Sequence, residues 1–193
     1  MAENTEFARL VSLACHDLRT PLATVHGFAT TLERGGGLEP PADRYVEMIN
    51  AASAQIAELI DELSLAARIE SGRYDPTPQQ ADSLELAQAA AARLGKERVR
   101  VAGSGRALET DVDALERGLA ALFQSALRHG GLDSVGVTVH GTEIRLSPVT
   151  AASAPVVLGD DLRDLGAAVA VRLVRRLGGS VAVDGETLAI RLV

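Results

Sequence analysis

Phe7, Val11, Ala14, Leu18, Leu22, Val25, Phe28 and Leu32 recur at steps of three or four, the spacing of a helix with one apolar stripe. The pattern predicts a helix from about Asn4 or Thr5, either a suitable N-cap, to Arg34, where Gly35-Gly36-Gly37 stops it. Pro40-Pro41 then opens a second helix, in which Tyr45, Ile49, Ala52, Ile56, Leu59, Leu63 and Ala66 follow steps of four and three. Two such helices joined by a short turn form an antiparallel hairpin that cannot bury both stripes alone. Pairing with a second copy gives a four-helix bundle, so a two-fold homodimer is expected.

Residues 70–80 collect Gly and Pro and lose the periodicity, marking a domain boundary between 1–74 and 75–193. Beyond it the pattern predicts a helix at 82–94, strands at 99–102 and around Leu108, and a helix at 112–129. Strands at 135–139 and 143–146, a helix at 162–177 and a closing hairpin of 180–184 and 187–192, turned at Gly185, complete the chain. Helices interspersed with hairpin strands suggest a mixed sheet with helices on one face, so the expected class is α+β: a helical hairpin followed by an α/β sandwich.

One stretch on the first helix carries chemistry: His16-Asp17-Leu18-Arg19-Thr20-Pro21-Leu22. His16 lies two residues from both Ala14 and Leu18, which at about 100° per residue sets its ring opposite the stripe, in solvent, with Thr20 one turn on. Asp17 supplies a carboxylate that can accept the Nδ1 proton, fix the tautomer and leave the Nε2 lone pair free as a nucleophile. Pro21 has no amide hydrogen and would leave the Asp17 carbonyl unpaired, so a bend is expected one turn after the histidine. These seven adjacent residues resemble the phosphoacceptor box of two-component sensor histidine kinases. There the histidine takes phosphate from ATP and passes it to an aspartate on a response-regulator receiver domain. The resemblance implies that Asp17 assists phosphotransfer and that Thr20 helps to place water for dephosphorylating the regulator. The ridge of small exposed residues beyond His16, namely Ala23, Thr24 and Gly27, together with Arg19, is the expected docking surface.

Composition narrows the partners. Nineteen Lys and Arg against 26 Asp and Glu leave a formal charge of −7, and aromatics make up 3% with no Trp. An acidic chain with few stacking side chains is a poor nucleic-acid binder. No apolar run reaches the roughly 20 residues that span a bilayer, and the N-terminus lacks the features of a signal peptide, so a cytoplasmic location is expected. Cys15 is the single cysteine, which rules out an internal disulfide and reads as a small bundle residue. His16, His26, His129 and His140 show no metal-ligand spacing, and no metal site is expected.

The second domain is similar in element order to the ATP-binding domain of histidine kinases, and the match can be followed residue by residue. Asp111, Leu115, Leu119, Leu122, Ala126, Arg128 and His129 fall where that family's asparagine-box helix has its leading Asp, leucines, Ala and basic ending. The two asparagines that name the box are replaced by Ala121 and Ser125, and the resemblance implies that the second would have offered an amide oxygen to the Mg²⁺ on ATP. Ser147 stands where the family has the Asp that bonds adenine. The glycine turn that admits phosphates keeps only Gly166, beside Asp164, whose charge opposes a phosphate at a helix N-terminus. Between Ser147 and Asp164 there is also too little chain for the long lid over the nucleotide.

The resulting expectation is a histidine phosphotransferase that relays phosphoryl groups between receiver aspartates through His16, with ATP binding lost. No cofactor is expected on this chain, the Mg²⁺ being supplied by the receiver partner. The partners expected are response-regulator receiver domains, an upstream histidine kinase and a second copy of the chain. A working sensor kinase with autokinase and phosphatase activity is the alternative, and a non-catalytic dimeric scaffold for receivers is the third reading.

Overall fold

In the computed structural model, which describes the backbone of residues 2–193 and the side chains of residue 8 and residues 11–193, helix α1 (Ala2–Gly35) runs unbroken through Pro21. It begins ahead of the expected caps, and the side chains of Asn4, Thr5 and Phe7 lie outside the described residues. Gly36 and Gly37 take positive φ (64° and 76°), a turn that side-chain-bearing residues resist, and the chain returns as α2 (Ala42–Glu70). The molecule divides into two compact units, Met1–Arg73 and Tyr74–Val193.

Within the hairpin, the buried residues differ from the expected stripe. Ala8, Cys15 and Ala29 of α1 and Val46, Ser53, Ile60 and Ala67 of α2 form the seam, at seven-residue intervals with half-buried Leu22 completing the α1 series. Leu18, Val25, Phe28 and Leu32, together with Tyr45, Ile49, Ile56, Leu59 and Leu63, are exposed in the single chain. The reason is geometric: one helix covers only a narrow strip of its neighbour, and here that strip is lined by small residues that allow close approach. The large apolar residues flank it and remain uncovered. Polar contacts cross the hairpin at three levels, Arg73 to Ser12 at 3.3 Å, Arg19 to Asp61 at 2.8 Å, and Asn50 to both Glu33 and Thr30.

The second unit contains β1 (Gln79–Asp82), α3 (Ser83–Ala92), β2 (Val99–Gly105), β3 (Ala107–Thr110), α4 (Val112–Gly130), β4 (Val135–Gly141), β5 (Glu143–Ser147), α5 (Ala154–Val157), α6 (Leu165–Arg176), β6 (Ser180–Asp184) and β7 (Thr187–Arg191). Strands β1 and β3 form a small antiparallel pair. The main sheet has the order β2-β4-β5-β7-β6, with β2 and β4 parallel and the remaining pairs antiparallel. Its register aligns Val137 with Leu146, Leu146 with Leu188, and Val139 with Ile144 and then Ile190, all buried, while Thr138, Arg145 and Arg191 on the opposite face are exposed. One sheet face is therefore covered by helices, through Leu86, Leu119, Leu122, Phe123 and Val171, and the other is open.

Two short elements, β1 and α5, each four residues long, are not expected from the sequence pattern. Helix α6 starts at Leu165, after Asp164, and not near Leu162 as expected. The expected helix boundary at Asp82 is its N-cap, its carboxylate accepting from the Leu84 amide at 2.8 Å. Asp111 likewise caps α4, and Gly131 closes that helix in the left-handed conformation.

Candidate functional site

The turn of α1 that carries His16 is fixed from its buried side. Cys15 is 1% exposed in the seam, which turns the next residue outward. The side chains of His16 and Asp17 are 78% and 69% exposed, with Nδ1 of His16 3.2 Å from Oδ1 of Asp17. In the tautomer with its proton on Nδ1, the imidazole donates to that carboxylate and presents Nε2 to solvent. Such a pair can attack an electrophilic phosphorus, the carboxylate stabilising the positive charge that develops on the ring. Thr20, Ala23, Thr24 and Gly27 are all exposed on the following turns. The Thr24 hydroxyl donates back to the Thr20 carbonyl at 3.1 Å, and a Cβ built on Gly27 meets nothing within 4 Å, so this ridge is low and open. The backbone continues as helix across Pro21.

Arg19 does not project freely beside the ridge. Its guanidinium reaches across to Asp61 of α2. Cys15 beside it is held as a neutral thiol: burial pushes it up from its ordinary value, the Arg19 guanidinium opposes that shift and Asp61 adds to it.

In the second unit the counterparts of a nucleotide site come together around the N-terminus of α6. Asp164 caps that helix, Oδ1 accepting from the Ala167 amide at 3.1 Å, while Oδ2 lies 3.1 Å from Nε2 of His129 and 3.8 Å from Nη1 of Arg128. His129 and Arg128 end α4, so the pairing sets basic groups on the negative end of one helix dipole and a carboxylate on the positive end of the other. A phosphate approaching the α6 amides would meet a carboxylate already bonded there. Gly166 is half-buried within that first turn. Ser125, one turn before His129 on α4, is fully buried, and its hydroxyl has no hydrogen-bond partner among the described residues.

The segment between β5 and α6 packs inward through a few residues around α5. After exposed Ser147 and Pro148, the Ser153 hydroxyl accepts from the Thr150 amide at 3.1 Å and closes a turn into α5. Val149, Val156 and Val157 are 2%, 0% and 0% exposed, and α5 packs against both α4 and α6. The short spacing noted in the sequence pointed to a missing lid. It did not show that the remaining residues would fill space between the two helices.

A carboxylate-paired, solvent-facing histidine on a two-helix hairpin, carried on one chain with a one-faced α/β sandwich, defines a phosphoacceptor class of signalling protein. Comparison with known proteins makes this specific. Residues 8–72 match the profile of the His Kinase A (phospho-acceptor) domain. Over 176 residues, 82% of the chain, it is 31% identical to the histidine protein kinase DivJ of Caulobacter vibrioides, but it spans only 28% of that protein's length. The fold matches full-length ShkA, solved in complex with AMPPNP, with a TM-score of 0.69 at 20% identity, over 94% of this chain and 44% of that one. It also matches the Acinetobacter baumannii histidine kinase AdeS with a TM-score of 0.54 at 18% identity, over 92% and 98% of the two chains. Residues 8–72 thus match a phosphoacceptor domain, and the chain as a whole resembles sensor histidine kinases in sequence and in fold, with a helical hairpin followed by an ATPase-like sheet domain. No helix among the described residues is long and apolar enough to cross a membrane.

Proposed function

We propose that this chain is a histidine phosphotransferase, accepting a phosphoryl group from a receiver-domain aspartate onto Nε2 of His16 and passing it to another. On loading, the P–O bond of the acyl phosphate breaks as the P–N bond forms and the aspartate carboxylate leaves. On delivery, the P–N bond breaks as the acceptor carboxylate forms the new P–O bond and the imidazole leaves. Asp17 holds the Nδ1 proton throughout, and the receiver contributes the Mg²⁺ that shields the phosphoryl oxygens. Thr20, exposed one turn beyond His16, is the residue we assign to orienting water for hydrolysis of the receiver's phosphoaspartate.

The observation that carries this reading over an ATP-driven one is Asp164. A nucleotide bound as in working kinases needs an empty helix N-terminus for its phosphates and oxygen ligands for its metal. Here that terminus is capped by the chain's own carboxylate, the Ser125 hydroxyl is sealed in the core, and valines fill the space beside α4 and α6. The residues present do not fit ATP bound in that way. The exposed apolar residues beside the hairpin seam, Leu18, Val25, Phe28 and Ile56 among them, support a second copy as the bundle partner, since uncovered apolar stripes of this kind mark an interface.

A sensor-kinase reading has its own support in the identity to DivJ, a histidine protein kinase, which extends beyond the hairpin. Labelled Mg·ATP and, separately, a labelled phosphorylated receiver decide between the two, with His16→Ala as control. The phosphotransferase gives no acid-labile label from ATP and His16-dependent label from the receiver. Label from ATP on the wild type alone would make the chain a kinase.

A further inference from the structure

Resting on the phosphotransfer reading, the geometry points to a further role: Arg19 and Asp61 are positioning residues that set the orientation of His16, and Arg19 is not a receiver-docking group. His16 and Asp17 touch each other, and both side chains are largely in solvent. Their direction is therefore inherited from the backbone of the turn between Cys15 and Thr20. That turn is weakened from within, because Pro21 has no amide hydrogen to give to the Asp17 carbonyl. Something outside the helix must hold it.

The described side chains tie α1 down on both sides of His16: the Ser12 hydroxyl, one turn before it, accepts from Arg73 at 3.3 Å, and two holds lie on the turn itself. Cys15 is buried in the seam immediately before His16, and Arg19, one turn further along the same face, bonds Asp61 across the hairpin at 2.8 Å. The three groups are close enough that Arg19 and Asp61 act with opposite sign on the Cys15 thiol. Together they clamp both ends of the turn to α2. The ion pair fixes the rotation of α1 about its axis, and with it the face on which the His16 ring emerges. Because its two side chains are 46% and 56% exposed, the pair contributes little to folding, so its loss should be read at His16 with the fold intact.

The test uses the full chain with Arg19→Asp, Asp61→Arg and the charge-swapped double variant. Histidine-selective ¹⁵N NMR reports the His16 tautomer, assigned by its loss in His16→Ala. Phosphoramidate, a small phosphodonor that needs no docking, and a phosphorylated receiver report transfer. Each single variant is expected to shift the tautomer ratio and slow labelling from both donors by about tenfold. The half-saturating receiver concentration should stay unchanged, and the swap should restore both readouts. Docking by Arg19 predicts the opposite pattern: Asp61→Arg silent, Arg19→Asp raising the half-saturating concentration, and no rescue by the swap. That pattern, or a tautomer ratio indifferent to all three variants, overturns the inference. A wild type that takes phosphoryl from neither donor would sink the phosphotransfer reading, while the tautomer measurement still decides positioning.

Discussion

Asp164 shows how one side chain can change what a helix terminus does. A helix N-terminus attracts any anion, and the nearest anion here is covalently attached. Its contacts with the Ala167 amide and the His129 ring imply that Asp164→Ala loses a cap, costing about 1 kcal/mol, with His129 stranded in addition. Asp164→Asn keeps the acceptor oxygen and should cost less. Urea denaturation of the two variants measures the difference, and equal stabilities would show that the cap is unimportant. The sequence exposed this residue as an electrostatic misfit for phosphate, but its pairing with His129 joins residues 35 positions apart, which no local spacing encodes.

At the scale of elements, α1 works through two faces. Its seam face, made of Ala8, Cys15 and Ala29, sets how closely α2 approaches, and the ridge of Thr20, Ala23, Thr24 and Gly27 stays low enough for another protein to lie against it. A long cation on that ridge should block approach without disturbing the seam. Ala23→Arg is accordingly expected to slow labelling from a phosphorylated receiver about tenfold or more while leaving labelling by phosphoramidate unchanged. Receiver transfer at the wild-type rate would move the docking surface elsewhere. Helix periodicity placed His16 in solvent correctly from sequence because a helix fixes angles between neighbours. Which strip α2 itself covers was decided by packing: small residues admit a backbone more closely than leucines do, and the periodic apolar stripe stays exposed in the single chain.

For the whole molecule, the large apolar residues beside the seam are the feature that a lone hairpin leaves unexplained. Phe28 is 68% exposed, and Leu18, Val25 and Ile56 are about half exposed. If a second copy covers them, Phe28→Glu removes about 3 kcal/mol of apolar burial over two protomers, roughly a hundredfold in the dimer dissociation constant. Light scattering across a concentration series should show the shift toward monomer. A wild type that is monomeric throughout would leave the bundle proposal without its basis.

The sequence by itself determined the order and type of nearly all the elements, the exposed histidine with its adjacent carboxylate, and the departures from a nucleotide-binding pattern at Ser125, Ser147 and Asp164. The elements and the exposed histidine are readable from neighbours a few residues apart, where backbone geometry leaves little choice, and the departures are readable only against the pattern of the family the chain resembles. Tertiary structure alone decided that Arg19 turns to Asp61, that Asp164 is held by His129 as well as by its own helix, and that α5 packs against α4 and α6. Each joins groups far apart in the chain, or fills a space whose shape is set by two other helices, and such outcomes depend on distances that exist only once the elements have packed.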